Sequence, residues 1–428
     1  MKRISLVKID TKRILIFLAI LLSFFLLIPS FASDNTPNIK SNFELIESVP
    51  KDTIFGQPGV RHTQQVWLDM INTAQKTIDI GAFYFSSQPG SAMEPVINAI
   101  VKASEHGVKV RIILDGSFYK QSLPSMKTLQ NKSNIEIRII PIKYISGGVM
   151  HAKYMIVDNA DVFVGSENFD SRALDQVHEI GVRVRNERLA STVLQVFNLD
   201  WKLCLTKNIV AYQYLLYKKF EHLPVTVQRP ITVKFGDQLI SIHPAFSPKN
   251  LVPQGLDWEQ DQMISLINSA RHELLMQVLQ YSPAKGYGIK GYWKDLDNAI
   301  RAAAGRGVKV KMIVSNWSQK KPAIQFIKSL SLVPNVQIKI STLPPYQGKF
   351  IPFSRVEHCK YFVVDNDLSW IGTGNWEWSY FYTTRNIAMI IHGFAVNKLL
   401  QDIFNRDWNG PYVSPVDINK NYQPPKTH

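Results

Sequence analysis

Cysteine is nearly absent from this chain. Its 428 residues hold two, Cys204 and Cys359, too few for a disulfide framework. Cys359 lies between His358 and Lys360 on an expected strand, where a small buried hydrophobe suits its setting better than a bridge to Cys204. Metal-ligand spacings are missing as well: there is no Cys pair and no His pair at ligand distance, so no metal and no cofactor is expected. Low-complexity tracts are missing, which leaves the composition of a folded protein, 45% hydrophobic and 19% charged. Acidic residues are scarce beside basic ones, 34 against 49, for a formal charge of +15. That imbalance favours phosphate-rich partners, either nucleic acid or an anionic membrane surface, and does not choose between them.

The N-terminus supplies part of the charge. "MKRISLVKIDTKR" is basic, Ile14 to Ile28 is apolar apart from Ser23, and "PSFAS" follows with small residues at Ser30 and Ala32. This is the layout of a secretory signal peptide, with residues 1–32 removed after Ala32 and the product periplasmic, secreted or luminal. An uncleaved membrane anchor is the competing reading, although the apolar run falls short of the ~20 residues a spanning helix needs. Loss of residues 1–32 removes five Lys/Arg and one Asp, leaving a charge of about +11.

The rest of the chain is written twice. "HAKYMIVDNADVFVGSEN" begins at His151 and "HCKYFVVDNDLSWIGTGN" at His358. Upstream, "NAIVKASEHGVKVRIILD" from Asn98 matches "NAIRAAAGRGVKVKMIVS" from Asn298. Both read as helix, Gly stop (Gly107, Gly307) and alternating strand. Further upstream still, "WLDMINTAQKTIDIGAFYF" resembles "QMISLINSARHELLMQVLQY". Each half therefore reads helix–strand–helix–strand and then a His-containing hairpin, an α/β sandwich. The expected halves are 33–204 and 254–428. Residues 205–253, rich in Pro and weak in period, are expected to connect them, with room for a short hairpin.

On a strand, residues i and i+2 share a face. His151 therefore accompanies Lys153, and His358 accompanies Lys360. The return strands bring Ser166 and Asn168, or Thr373 and Asn375, to the same end. Each half gathers an imidazole, an ammonium, a hydroxyl and an amide. Lys and Asn stabilise phosphoryl oxygens, a neutral His attacks phosphorus, and a protonated His donates to a leaving oxygen. One half supplies one His, so the two halves are expected to build one site about a pseudo-twofold axis. A lone His-x-Lys carries little information; six matched positions in two copies carry far more.

The pattern resembles the phospholipase D superfamily, whose signature His-x-Lys-x4-Asp-x6-Gly-[Gly/Ser/Thr]-x-Asn maps onto His151, Lys153, Asp158, Gly165, Ser166 and Asn168. The second copy is His358, Lys360, Asp365, Gly372, Thr373 and Asn375. The resemblance implies two tandem phospholipase D-like α/β/α halves, a metal-independent phosphodiesterase, and a phosphohistidine intermediate. It also implies that Asp158 and Asp365 buttress the motif loops rather than touch substrate. The flanks, including "FSRVEHCKYFVVD", "IGTGNWEWSYF" and "RDWNGPY", are similar to a subgroup containing endolysosomal 5′-exonucleases and a viral envelope phospholipase. Such a protein acts on a phosphodiester, either single-stranded nucleic acid or a phospholipid head group. The flanks and the charge lean to nucleic acid. Hydrolysis or head-group transfer on lipid is the alternative, and a non-catalytic phosphate-binding module is the third reading.

Many superfamily halves carry a carboxylate eleven residues after the motif Asn. Glu179 stands there in the first half and Asn386 in the second. A carboxylate accepting from His151 would fix its tautomer and steady the cation formed on attack. His151 is therefore expected to be the nucleophile and His358 the general acid. Of the aromatics in "NWEWSYFY", Trp376 and Trp378 are the candidates for lining the cleft, where they could stack bases or meet acyl chains. With both His-x-Lys sets in one chain, a monomer is expected to be catalytically complete.

Overall fold

The computed structural model describes residues 41–205, 216–217, 220, 222–286 and 290–427. The expected signal segment 1–32 lies outside the described residues, and so does part of the expected connection. No described helix is long and apolar enough to cross a membrane.

Residues 41–428 form one compact unit built on two sheets of matching topology. In the first, the strands Thr77–Ala82, Lys109–Asp115 and Ile135–Ile140 run parallel. Thr77–Ala82 is flanked on its other side by the antiparallel hairpin Tyr154–Val157 and Asp161–Gly165, and then by Val177–Arg185 and Phe43–Ser48. In the second, Glu273–Val278, Lys309–Ser315 and Val336–Ser341 are parallel. They are followed by Lys360–Val364, Leu368–Gly372, Asn386–His392 and Gln238–Ser247. The helices Glu94–Glu105 and Lys294–Gly305 end as the sequence suggests. Gly107 at φ +91° and Gly307 at φ +93° take the left-handed conformation that a side chain would resist.

Segment 205–253 is more than a connection. Ile231–Phe235 and Gln238–Ser247 form a hairpin whose second strand pairs with Asn386–His392 through seven residues. The second sheet thus recruits chain from 231 onward, upstream of the boundary expected at 254. It occupies the place that Phe43–Ser48 fills in the first sheet.

Strand alternation sorts the core into layers. Tyr154 and Ile156 face a central core, as do Tyr361 and Val363. Met155 and Val157 face the outer helices of the first half, and Phe362 and Val364 those of the second. The helices Glu187–Leu203 and Phe394–Trp408 lie in the central core, so the halves share a hydrophobic interior in addition to the outer core that each has of its own. Each half is an α/β/α sandwich joined face to face with its copy.

The seam shows the pseudo-twofold directly. Val177 and His178 pair in parallel with Val356 and Glu357, and Met150 pairs in parallel with Arg385. A shift of 207 residues turns one bridge into the other. Buried charges follow the same symmetry. Arg385 bonds Asp200 across the seam at 2.8 Å. At the equivalent place His178 meets Glu357 at 2.7 Å, Glu47 at 2.9 Å and Asp407 at 3.7 Å. Burial opposes charge on His178, but these carboxylates outweigh it and hold the imidazolium up to about 10. Both cysteines are free thiols, and Cys359 is fully buried beside His178.

Candidate active site

The two motif histidines stand where the chain crosses the seam. His151 donates its backbone N–H to the Arg385 carbonyl at 2.9 Å, and His358 donates to that of His178 at 3.0 Å. Each precedes its strand, Tyr154–Val157 or Lys360–Val364, and each Lys turns back toward its own His. Lys153 Nζ donates to the His151 carbonyl at 2.5 Å, and Lys360 Nζ to the His358 carbonyl at 2.6 Å. Both ammonium groups are fully buried. Burial, with Lys153 aided by the neighbouring Lys360, lowers both; Lys360 stands at about 8.

The remaining motif residues explain the geometry. Asp158 accepts the backbone N–H groups of Gln75, Lys76 and Thr77 at 2.7–2.8 Å. Asp365 does the same for Arg271, His272 and Glu273 at 2.8–3.0 Å. Neither lines the cleft; each ties the motif hairpin to the start of the neighbouring strand. Gly165 and Gly372 allow close packing. A Cβ on Gly165 would lie 2.0 Å from Glu167 Oε2, and one on Gly372 would lie 2.3 Å from the Trp370 ring. Ser166 Oγ accepts from Ile180 N at 3.0 Å, and Thr373 Oγ1 from Ile387 N at 3.1 Å. The hydroxyls therefore pin the strands that carry Glu179 and Asn386. Asn168 and Asn375 line the cleft, each with a buried Oδ1 that has no hydrogen-bond partner among the described residues, and Asn375 Nδ2 donates to Tyr380 Oη at 2.9 Å.

The carboxylate does not hold the expected histidine. Glu179 Oε2 accepts from His358 Nδ1 at 2.6 Å, and His151 Nδ1 instead faces Asn386 Oδ1 at 3.3 Å. The cause is the seam. Val177–Arg185 pairs across it with Val356–Glu357, so each half supports the histidine of the other. Asn386 Nδ2 donates to the carbonyls of Tyr380 at 2.8 Å and Thr384 at 3.2 Å, which orients Oδ1 to accept from His151 and Thr373. Lys360 Nζ lies 3.2 Å from His358 Nδ1, but the bond to Glu179 places a proton on that nitrogen and leaves Nε2 for chemistry. Burial and then the two lysines push His151 and His358 well below the usual 6.5. Burial raises Glu179, against the pull of Lys360.

His151, His358, Asn168, Asn375 and Glu179 line one cleft of about 700 Å³. Trp376 does not. Its short strand with Tyr281–Ser282 turns the indole inward, against Phe362 and Trp370 in the outer core. Trp378 stacks on Tyr382 with Lys285 above it and is not part of the lining either. The aromatics of the cleft are Phe83, Tyr84, Phe118, Trp317, Phe353 and Tyr380. Phe83 and Tyr84 come from "AFYF" and Tyr380 from "NWEWSYFY". Phe118, Trp317 and Phe353 carry no sequence signal, and neither does Arg172, which also lines the cleft and bonds Asp170 at 2.7 Å.

The family model described as "Cardiolipin synthase, PLD-like domain" matches residues 67–201 and 263–408. The chain belongs to the phospholipase D-like family. Phospholipase D Z of Dictyostelium discoideum is 30% identical over 406 residues, covering 90% of this chain and 94% of the relative. The virion nicking-joining enzyme of vaccinia virus (strain Western Reserve) is 31% identical over 366 residues, covering 82% and 84%. The 5'-3' exonuclease PLD3 of Xenopus laevis is 26% identical over 399 residues, covering 86% and 80%. Among solved structures, phosphatidylserine synthase of Haemophilus influenzae Rd KW20 superposes with a TM-score of 0.58 at 13% identity over 82% of this chain and 85% of that one, a likeness of fold. The protein is a phosphodiester hydrolase of phospholipase D type.

Proposed function

We propose that the protein cleaves single-stranded nucleic acid without a metal, through a phosphohistidine formed on His358. The observation that carries this reading is the Glu179–His358 bond. It holds the Nδ1 proton of His358, directs Nε2 at phosphorus, and steadies the imidazolium as the P–N bond forms. The roles are therefore the reverse of those expected from the sequence. The leaving P–O bond breaks as His151 donates a proton to the departing oxygen. His151, now neutral, takes a proton from water; the water oxygen attacks phosphorus, and the P–N bond breaks. Lys153, Lys360, Asn168 and Asn375 bear the charge on the phosphoryl oxygens.

The lean to nucleic acid rests on the half-buried rings of Phe83, Phe118, Trp317 and Tyr380 along the cleft, which suit bases; the charge of about +11 left after residues 1–32 are removed suits a phosphate-rich substrate of either class. The same reading has one chain complete as a monomer and exported after cleavage behind Ala32. Purified mature protein offered 5′-hydroxyl single-stranded DNA and phosphatidylcholine side by side, with EDTA, tests it. Release of nucleotides supports it. Turnover of the lipid alone assigns the protein to head-group hydrolysis or transfer, with membrane-surface contact as part of its action.

A further inference from the structure

The cleft is unlike at its two ends, although the halves that form it are alike. Phe83 follows strand Thr77–Ala82, and its counterpart after Glu273–Val278 is Leu279, an aliphatic residue 2% exposed. The Phe83 ring is 4.2 Å from that of Phe118 and 5.0 Å from that of His151. Tyr380 also meets His151 edge-on at 5.0 Å. Phe83 and Phe118 are half-buried, so each keeps a ring surface open to the cleft. Beyond them the lining is Ser86, Gln88, Ser91 and Gln121, amides and hydroxyls without charge.

We propose that Phe83 and Phe118 form a nucleobase subsite for the leaving nucleoside, with the neighbouring amides facing the base edge. This rests on the nuclease reading above. In that reading His151 protonates the leaving oxygen; Phe83 is in ring contact with His151 and Phe118 with Phe83, so whatever departs carries its substituent toward these rings. An aromatic wall can also take a quaternary ammonium, the head group of a choline lipid. Here Lys153 Nζ already lies 5.4 Å over the Phe83 ring, and a second cation would meet repulsion. The cleft carboxylates that could offset it are both engaged, Asp170 by Tyr84, Arg172 and the N–H of Ala173, and Glu179 by His358. A neutral planar ring with donor and acceptor edges meets neither obstacle, and its stacking tolerates any base.

The test compares short single-stranded oligonucleotides that carry an abasic residue on one side or the other of the scissile phosphate. Wild-type protein is expected to lose about tenfold in kcat/KM when the leaving nucleoside lacks its base, and little when the retained one does. In Phe118→Ala the normal-to-abasic ratio is expected to fall toward one, and in Phe118→Trp to recover. Thermal melts of both variants report whether the fold is kept, and the ratio within one variant does not depend on how much protein is active. A ratio unchanged in Phe118→Ala overturns the subsite while leaving the nuclease reading intact. Dependence on the retained base alone overturns its placement beside the leaving group. Hydrolysis of phosphatidylcholine with no oligonucleotide cleavage overturns the subsite and the nuclease reading together.

Discussion

Glu179, from the first half, holds His358 of the second by a 2.6 Å hydrogen bond, whereas the equivalent Asn386 faces His151 at 3.3 Å. The motif copies are thus unequal in support although alike in sequence, and in the proposed mechanism the inequality divides the labour between the histidines. Glu179→Gln keeps the shape and removes the charge that stabilises the His358 cation. It is expected to lower kcat about a hundredfold or more, and to cost little in a His358→Ala background, since the residue acts through His358. Equal losses in both backgrounds would separate Glu179 from His358.

The pH dependence follows from His151. Burial, then Lys153 and Lys360, lowers its pKa well below 6.5, so the protonated acid persists only in the acidic range. Plots of kcat/KM against pH are expected to peak there and fall toward neutrality. Asn386→Asp places a carboxylate beside His151, which favours the imidazolium, and should move the alkaline limb to higher pH. A limb that stays in place in this variant would show that another group sets it.

In the proposed mechanism Lys153 and Lys360 supply the positive charge that a metal would bring to a phosphoryl group. Turnover of a soluble substrate is expected to survive EDTA. Loss of turnover that one divalent ion alone restores would contradict this.

Asp365 is held below its usual 3.8; burial opposes its charge, and the N–H groups of Glu273, His272 and Arg271 outweigh that opposition. The stability it contributes is present above 3.8 and is lost as pH falls through the lower folded value. Asp365→Asn should cost about 1–2 kcal/mol near pH 7 after discounting for solvent reaching the group. In urea titrations the cost should shrink toward zero near the acid limit. A constant cost across pH would assign it to shape rather than charge.

Much of this was legible in the chain. The duplication, the helix stops at Gly107 and Gly307, and the fold class follow from local periodicity and from matched spacing. Glu179 stood out by its offset from Asn168, but its partner did not. Which histidine it meets is fixed by the pairing of His178 with Glu357 across the seam, a contact 179 residues apart that no local pattern encodes. Trp376 was misplaced because a run of aromatics does not tell which faces in; strand pairing with Tyr281–Ser282 decides that. A short hairpin was expected within the connection, but not that Ile231–Ser247 would join the second sheet; Pro244 weakens the strand pattern, yet it sits inside a strand opposite Met389.

The most direct measurement traps the covalent intermediate. A labelled, activated phosphodiester whose leaving group needs no proton is mixed with the His151→Ala and His358→Ala proteins, quenched in alkali, and the modified peptide mapped. The account predicts label on "HCKYFVVD", at His358, in the His151→Ala protein, and none in His358→Ala. Label on "HAKYMIVD" in the His358→Ala protein would contradict it.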